Sequence, residues 1–249
     1  MKSQGKVSVP TSNGRETHPV VSHKAWLAAR TELLKKEKAF TRQRDKLSRQ
    51  RRKLPWEKVD KQYVFDTPDG KQTLADLFGK RSQLAVYHFM FPAEWEEGCK
   101  HCSFWADHFD AMGAHLNHRD VSFAAISRAP LSKLEAFKKR MGWHFKWVSS
   151  GGNDFNYDFQ VSFRPQEIES GSVVYNYKKT RMDMTDREGA SVFYKEPSGG
   201  VFHTYSTYAR GIDMLNNTYQ FLDLVPKGRD EDGLEFTQAW VQFHDSYSD

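Results

Sequence analysis

The chain has 249 residues, a formal net charge of +5 from 37 lysines and arginines against 32 acids, and 14 % aromatic residues including seven tryptophans. That aromatic content belongs to a packed core rather than to a disordered polymer. No run of eighteen apolar residues is present to span a membrane, and the polar start, with Lys2, Ser3, Gln4 and Lys6, does not read as a signal peptide. A cytoplasmic protein with one substantial domain is expected, in a compartment where persistent disulfides are uncommon.

In chain order, residues 1–22 read as a disordered or extended N-terminus, and residues 23–55 as a basic amphipathic helical arm. No glycine or proline interrupts the stretch from Lys24 to Leu54, and Pro55 ends it. The stretch from Lys24 to Lys53 carries 12 lysines and arginines against three acids, so its local charge is +9 and the remainder of the chain is near −4. Trp26, Leu33, Phe40, Leu47 and Leu54 recur every seven residues. Their partner positions Arg30, Glu37, Arg44 and Arg51 are charged, which leaves the stripe too thin for a strong coiled coil. The expectation is an arm laid over the domain, or against a second copy of the chain in a homodimer. Nucleic-acid binding through Arg42, Arg44, Arg49, Arg51, Arg52 and Lys53 is the sharper alternative, and it is not favoured because a charged helix face is more often merely solvated.

Residues 56–226 alternate strand and helix signals. Tyr63-Val64-Phe65 reads as a strand before the turn Thr67-Pro68-Asp69-Gly70, and Thr73 caps a short helix closed by Gly79. The aromatic run from Gln83 to Phe91 predicts a buried strand, ended by Pro92. Val121 to Ile126 predicts another. Ser132 and Glu135 have the spacing of a capping box opening a helix that stops at Gly142, and Phe145 to Val148 predicts a short strand. The stretch from Ser149 to Glu188 reads as an irregular insertion. Strands at Ser191–Tyr194 and Val201–Tyr205 flank a turn and predict a hairpin, followed by a helix from about Ile212 to Leu224. Residues 227–249 read as a tail with no clear element.

The only two cysteines stand as Cys99-Lys100-His101-Cys102, between the buried strand and an amphipathic helix carrying Phe104, Phe109, Met112 and Leu116. Two intervening residues let one helical turn bring both sulfurs together, so a disulfide can open and close with little backbone movement. Cys99 falls near the helix N-terminus, where unpaired N–H groups favour a thiolate, and Lys100 and His101 act in the same direction when charged. Such thiols have pKa values of about 3.5 to 7.5 against about 8.5 for a free cysteine. Cys99 is the candidate nucleophile and Cys102 the candidate resolving thiol, in an exchange that needs no cofactor and no metal. Three alternatives stand beside this: half of a zinc site completed by His101, His108, His115 or His118; inert buried cysteines; and a structural disulfide, which so short a loop would make weak.

The order β-α-β-α-β, then a hairpin and a helix, with the dithiol after a central strand, points to a thioredoxin-like three-layer α/β sandwich. The runs Ala85 to Phe91, Cys99 to Trp105, Ser127 to Pro130, Arg140 to Trp143, Asp154 to Phe159 and His203 to Gly211 resemble the bacterial and fungal domain-of-unknown-function family 899, over about Val20 to Arg229. The resemblance implies a thioredoxin-like fold and a dithiol-disulfide oxidoreductase acting on a protein or small-molecule disulfide or dithiol.

Two departures from neighbouring thioredoxin-like groups bear on the substrate. Thioredoxins place a cis-proline before the strand facing the dithiol, whereas here Asp186-Arg187-Glu188-Gly189-Ala190 precedes it. Pro92, Glu96 and Cys99 match the spacing of the peroxiredoxin pattern P-x-x-x-T-x-x-C with glutamate in place of threonine. A carboxylate there is expected to raise the thiol pKa by like-charge repulsion, with Arg187 as the available compensating cation for a thiol peroxidase. A redox-inert thioredoxin-like scaffold is the non-enzymatic alternative. The candidates to line the site are Trp95, Glu96, Trp105, Arg128 and Arg187, with His88 and the strand His203 to Tyr208. On that strand, simple alternation puts His203 and Tyr205 on one face and Thr204 and Ser206 on the other.

Overall fold

Apolar strands that alternate with amphipathic helices bury themselves best as a covered sheet, and the computed structural model, which describes residues 7–9 and 18–248, has that form beyond Pro55. The expectation of an extended or disordered N-terminus falls largely on residues outside those described. Within them, β1 (Val7–Val9) and β2 (His18–Val20) pair antiparallel. The chain divides into two compact units, residues 1–54 and 55–249.

Helix α1 (His23–Arg51) makes up most of the first unit. Ser22 caps it by accepting the Ala25 N–H at 3.4 Å, as expected where a serine precedes an uninterrupted helix-forming run. None of its residues is buried, and Trp26, Leu33, Phe40 and Leu47 are each about half exposed or more. Among the described residues, no helix is long and apolar enough to cross a membrane.

The second unit begins with β3 (Glu57–Lys58), β4 (Val64–Thr67), β5 (Gly70–Thr73) and the short helix α2 (Leu74–Leu77). The turn after Thr67 closes a β4–β5 hairpin. Thr73 forms a full capping box with Asp76, and Gly79 takes a left-handed φ of +56° where only glycine is free to end the turn without strain. Strand β6 (Gln83–His88) follows, then α3 (Lys100–Ala106), α4 (Phe109–His118), β7 (Val121–Ser127), α5 (Leu131–Arg140) and β8 (Lys146–Ser149). The expected capping box at Ser132 does not form. Pro130, extended at ψ 144°, caps α5 two residues earlier and leaves Ser132 and Glu135 inside the helix.

The stretch from 149 to 188 is more ordered than its composition suggests. It holds α6 (Phe155–Asp158), α7 (Pro165–Glu169) and a hairpin of β9 (Val173–Tyr175) and β10 (Lys178–Thr180), with its own small core of Val161, Phe163, Val173, Tyr175, Met182 and Tyr208. Strands β11 (Gly189–Lys195) and β12 (Val201–Tyr208) form the predicted hairpin. The single helix expected from Ile212 to Leu224 is instead a 3-10 turn (Ala209–Leu215) and α8 (Asn217–Leu222), because Asn216 breaks the run and caps the second piece.

The eight-stranded sheet has the order β3-β12-β11-β6-β7-β8-β4-β5. Strands β6, β7 and β8 are parallel, and β11 and β12 join antiparallel beside β6. A parallel β-α-β-α-β run followed by an antiparallel hairpin and a helix is the thioredoxin-like arrangement. Side-chain alternation along β6 separates two cores: Tyr87 faces the aromatic core that holds α3 and both cysteines, while Leu84, Val86 and the buried His88 face the other layer.

Asn216 joins this architecture at one point. Its side chain is fully buried, its oxygen accepts the Tyr219 N–H at 3.0 Å, and its amide donates to the Phe104 carbonyl at 3.4 Å. Replacing Asn216 with alanine removes a cap and leaves buried backbone groups unmet, so chemical denaturation should show a loss of roughly 1–3 kcal/mol.

Candidate active site

The site is built where β6 runs out. Phe89 N–H donates to the Ile126 carbonyl at 3.0 Å and Ala129 N–H to the Phe91 carbonyl at 2.7 Å, so the segment after β6 stays anchored to β7. Met90 between them points its backbone at the cysteines. Its carbonyl accepts the Cys99 N–H at 3.1 Å, and its N–H donates to the Cys102 sulfur at 3.4 Å. Gly98 lets the loop enter α3 at close range: a Cβ there would stand 2.8 Å from the Phe89 ring and 2.9 Å from that of Phe137.

Cys99 is the N-cap of α3, and its sulfur accepts the Cys102 N–H at 3.5 Å. Both thiols are free and buried, with 8 % of Cys99 and 2 % of Cys102 exposed, which leaves Cys99 the more accessible. Their acidities diverge. A hydrogen bond from the Cys102 thiol holds Cys99 well below the usual thiol range, against the opposing effect of burial, and hydrogen bonds from His101 and the Cys102 backbone add to it. Burial pushes Cys102 well above that range, and its bond to Cys99 and the charges of Cys99 and Glu188 reinforce the shift. Of the two residues between the cysteines, His101 is the one that acts on the sulfur. Its Nε2 atom is buried without a hydrogen-bond partner among the described residues, and the Phe236 ring meets the imidazole edge-on at 6.0 Å.

The remaining sequence candidates separate. Glu96 does not face the thiols: its carboxylate is 87 % exposed and pairs with Lys133 at 3.0 Å, so the expected repulsion is absent. Trp95 packs partly buried on the same core and directs its carbonyl to Lys133 at 2.8 Å. Trp105 is buried behind α3, donating to the Ile212 carbonyl at 2.9 Å. Arg128 pairs with the buried Asp186 at 2.7 Å and donates to the Tyr157 hydroxyl at 3.0 Å, tying the 149–188 segment to β7. Arg187 is engaged by the Met182 sulfur at 2.9 Å and by Asp183 at 3.7 Å. His108, a candidate zinc ligand, bonds to the Thr218 hydroxyl at 3.1 Å, and among the described residues no group of three or more His, Cys, Asp or Glu is placed to hold a metal.

His88 and the His203 strand lie on the other face of the sheet. A bulge leaves Thr204 unpaired between His203 and Tyr205 and resets the alternation, so His203 and Ser206 point the same way rather than to opposite faces. His88, Ser191, Ser206 and His203 then form a chain with 2.7 Å at each link. Burial, with the charge of His203 second, pushes His88 down to about 3, so it is neutral at neutral pH.

Two groups beside the sulfurs were not singled out by sequence. Tyr87 is fully buried in the cysteine-bearing core, and Glu188 is held by the Tyr175 hydroxyl at 3.2 Å. The C-terminal segment, unreadable in sequence, also encloses the site. Trp240 packs edge-on against Phe104, Val241 is fully buried, and Glu231 gathers the Tyr219 hydroxyl, the Gln238 N–H and the Trp240 indole within 3.0 Å.

The family model of the bacterial proteins of unknown function DUF899 matches residues 15–247. The chain belongs to that family. Among solved structures it is similar to the bacterioferritin comigratory protein of Xanthomonas campestris, 14 % identical with a TM-score of 0.42 over 62 % of this chain and 86 % of that one. Peroxidoxin BcpB from Mycobacterium tuberculosis is 13 % identical, with a TM-score of 0.43 over 66 % and 95 % of the two chains. The mitochondrial 2-Cys peroxiredoxin of Plasmodium falciparum is 12 % identical, with a TM-score of 0.40 over 72 % and 95 %. Likenesses this distant carry no statement about the reaction. A comparison with curated proteins finds no match.

Divergent acidity has a direct readout. A lowered thiol pKa puts thiolate, the reactive form, at lower pH. Across graded pH, brief iodoacetamide treatment followed by peptide mass mapping should modify Cys99 at lower pH than a free cysteine and Cys102 only at higher pH. Equal labelling of both cysteines across that range would refute the assigned difference.

Proposed function

We propose that this protein is a thiol-disulfide oxidoreductase whose redox group is the Cys99–Cys102 dithiol. The observation that carries the reading is the pair itself: two free sulfurs one helical turn apart, one held as the stronger acid by a hydrogen bond from the other. A zinc site or an inert filler has no need of that asymmetry.

In this reading the Cys99 thiolate attacks one sulfur of a partner disulfide, forming a mixed disulfide and releasing the other partner sulfur as a thiolate. Cys102 then loses its proton and attacks the Cys99 sulfur. The second partner thiolate leaves, the protein holds a Cys99–Cys102 disulfide, and the partner has gained two electrons. Run backwards, the same steps oxidise a dithiol. Stabilising the Cys99 thiolate stabilises the reduced protein, which moves the couple toward the oxidising end of the roughly −270 to −120 mV spanned by such dithiols.

A peroxide substrate is supported less well. The two arginines that it could draw on are committed to Asp186 and to Met182 and Asp183. The loop between Asp186 and β11 offers arginine and glutamate where an extended peptide would meet proline in thioredoxins, which favours a small-molecule disulfide or a partner bound in another manner.

Equilibration in glutathione buffers of graded ratio, acid quenching, alkylation and mass measurement test the reading. A reversible loss of two protons with a single midpoint is expected. Cys99→Ser should form no mixed disulfide, while Cys102→Ser should accumulate one at Cys99. Thiols that stay reduced at every ratio would reject the proposal.

A further inference from the structure

We propose that Tyr87 is a catalytic residue of the resolving step, its phenol hydroxyl donating a hydrogen bond to the Cys102 sulfur as that sulfur becomes a thiolate and attacks Cys99. The inference rests on the dithiol-exchange reading above and adds a residue that the cysteine motif does not contain.

Tyr87 lies three residues before Met90, on the side of β6 that faces α3, with 1 % of its surface exposed. Its hydroxyl is buried with no partner at full hydrogen-bonding geometry among the described residues, and lies near enough to the Cys102 sulfur for a weak bond to it. A hydroxyl taken out of water and left unmet carries a penalty, and such groups are rare enough in folded proteins to need a reason. Burial is the largest influence on this phenol, and the next are Cys102, then Glu188, with Cys99 also acting on it. The unmet donor is therefore beside the dithiol.

The chemistry of the two steps supplies the reason. In the reduced protein the Cys102 thiol is a proton donor to Cys99 and asks for no donor of its own. Once Cys99 is tied into a mixed disulfide, Cys102 gives its proton to water or a buffer base and carries a full negative charge in a buried place. The one backbone donor it has is Met90 N–H at 3.4 Å, a long contact. Glu188, an acceptor when ionised, opposes the charge rather than easing it. The Tyr87 hydroxyl is the group that can turn its proton toward the sulfur at that moment. A hydrogen bond that is weak in the resting state and strong in the attacking state lowers the barrier more than it stabilises the reactant.

The two neighbours of Cys102 therefore have opposite expected effects, which a two-step chromogenic disulfide separates. With 5,5′-dithiobis(2-nitrobenzoate), Cys99 displaces one thionitrobenzoate and keeps the other in a mixed disulfide. Cys102 then displaces the second, releasing a proton and closing the Cys99–Cys102 bond. Stopped-flow absorbance should show two releases in the wild type and one in Cys102→Ser. Tyr87→Phe removes only an oxygen that makes no full hydrogen bond in the resting protein, so the ring packing is kept. It should leave the first release within a few-fold, slow the second by roughly tenfold or more, and move the pH midpoint of the second upward. Glu188→Gln should speed the second release and move its midpoint down. A second release in Tyr87→Phe with wild-type rate and pH profile overturns the role of Tyr87, as does a slower one in Glu188→Gln, which would make the carboxylate the helpful group. A single release in the wild type instead overturns the exchange reading, and the proposal with it.

Discussion

Two sulfurs taken out of water within one helical turn cannot both carry charge, and the rest of the site is arranged around that constraint. The pair resolves it by sharing one proton: Cys102 keeps it and offers it to Cys99, so one thiol becomes a stronger acid at the expense of the other. Met90 serves both members from one residue, its carbonyl fixing the Cys99 backbone and its N–H meeting the Cys102 sulfur. The asymmetry is thus set by backbone geometry and burial, with His101 as the side chain that sharpens it.

That geometry in turn depends on the sheet. The Met90 peptide is held in place because its neighbours Phe89 and Phe91 bond to Ile126 and Ala129, and these contacts exist only if β6 and β7 run parallel in register. The aromatic core beneath, with Phe89, Phe91, Phe137, Trp143 and Trp147 packed on one another, makes the segment rigid and explains why glycine is needed at 98, where no side chain fits. Packing and chemistry are joined at one loop: the rings that stabilise the fold also keep water from the thiols.

The opposite face of the sheet shows what burial does without a dithiol. His88 is one residue from Tyr87, yet strand alternation sends it into the other layer, where it is kept neutral and chained through two serines to His203. By sequence alone His88 belongs with the site, because it stands in the same strand. Period-two alternation separates the two, and a single bulge at Thr204 reverses the expected facing of His203 and Ser206.

The local grammar of the chain was enough to specify the elements that govern themselves: the uninterrupted helix after Ser22, the Thr73 cap, the start of the buried strand at Gln83, the β11–β12 hairpin and the placing of Cys99 at a helix start. Each depends on residues within a few positions of one another, so spacing alone determines it. What needed the folded chain depends on distant partners. Glu96 looked like a repulsive neighbour of Cys99 until Lys133, far along the chain, drew it outward. Arg128 and Arg187 looked available until the 149–188 segment brought up Asp186, Met182 and Asp183. The C-terminal residues, with no periodic pattern, acquire their order only by packing on α3. The motif by itself determined that two thiols would meet. Only tertiary structure decided which charges, donors and rings surround them, because those interactions join residues that no sequence spacing relates.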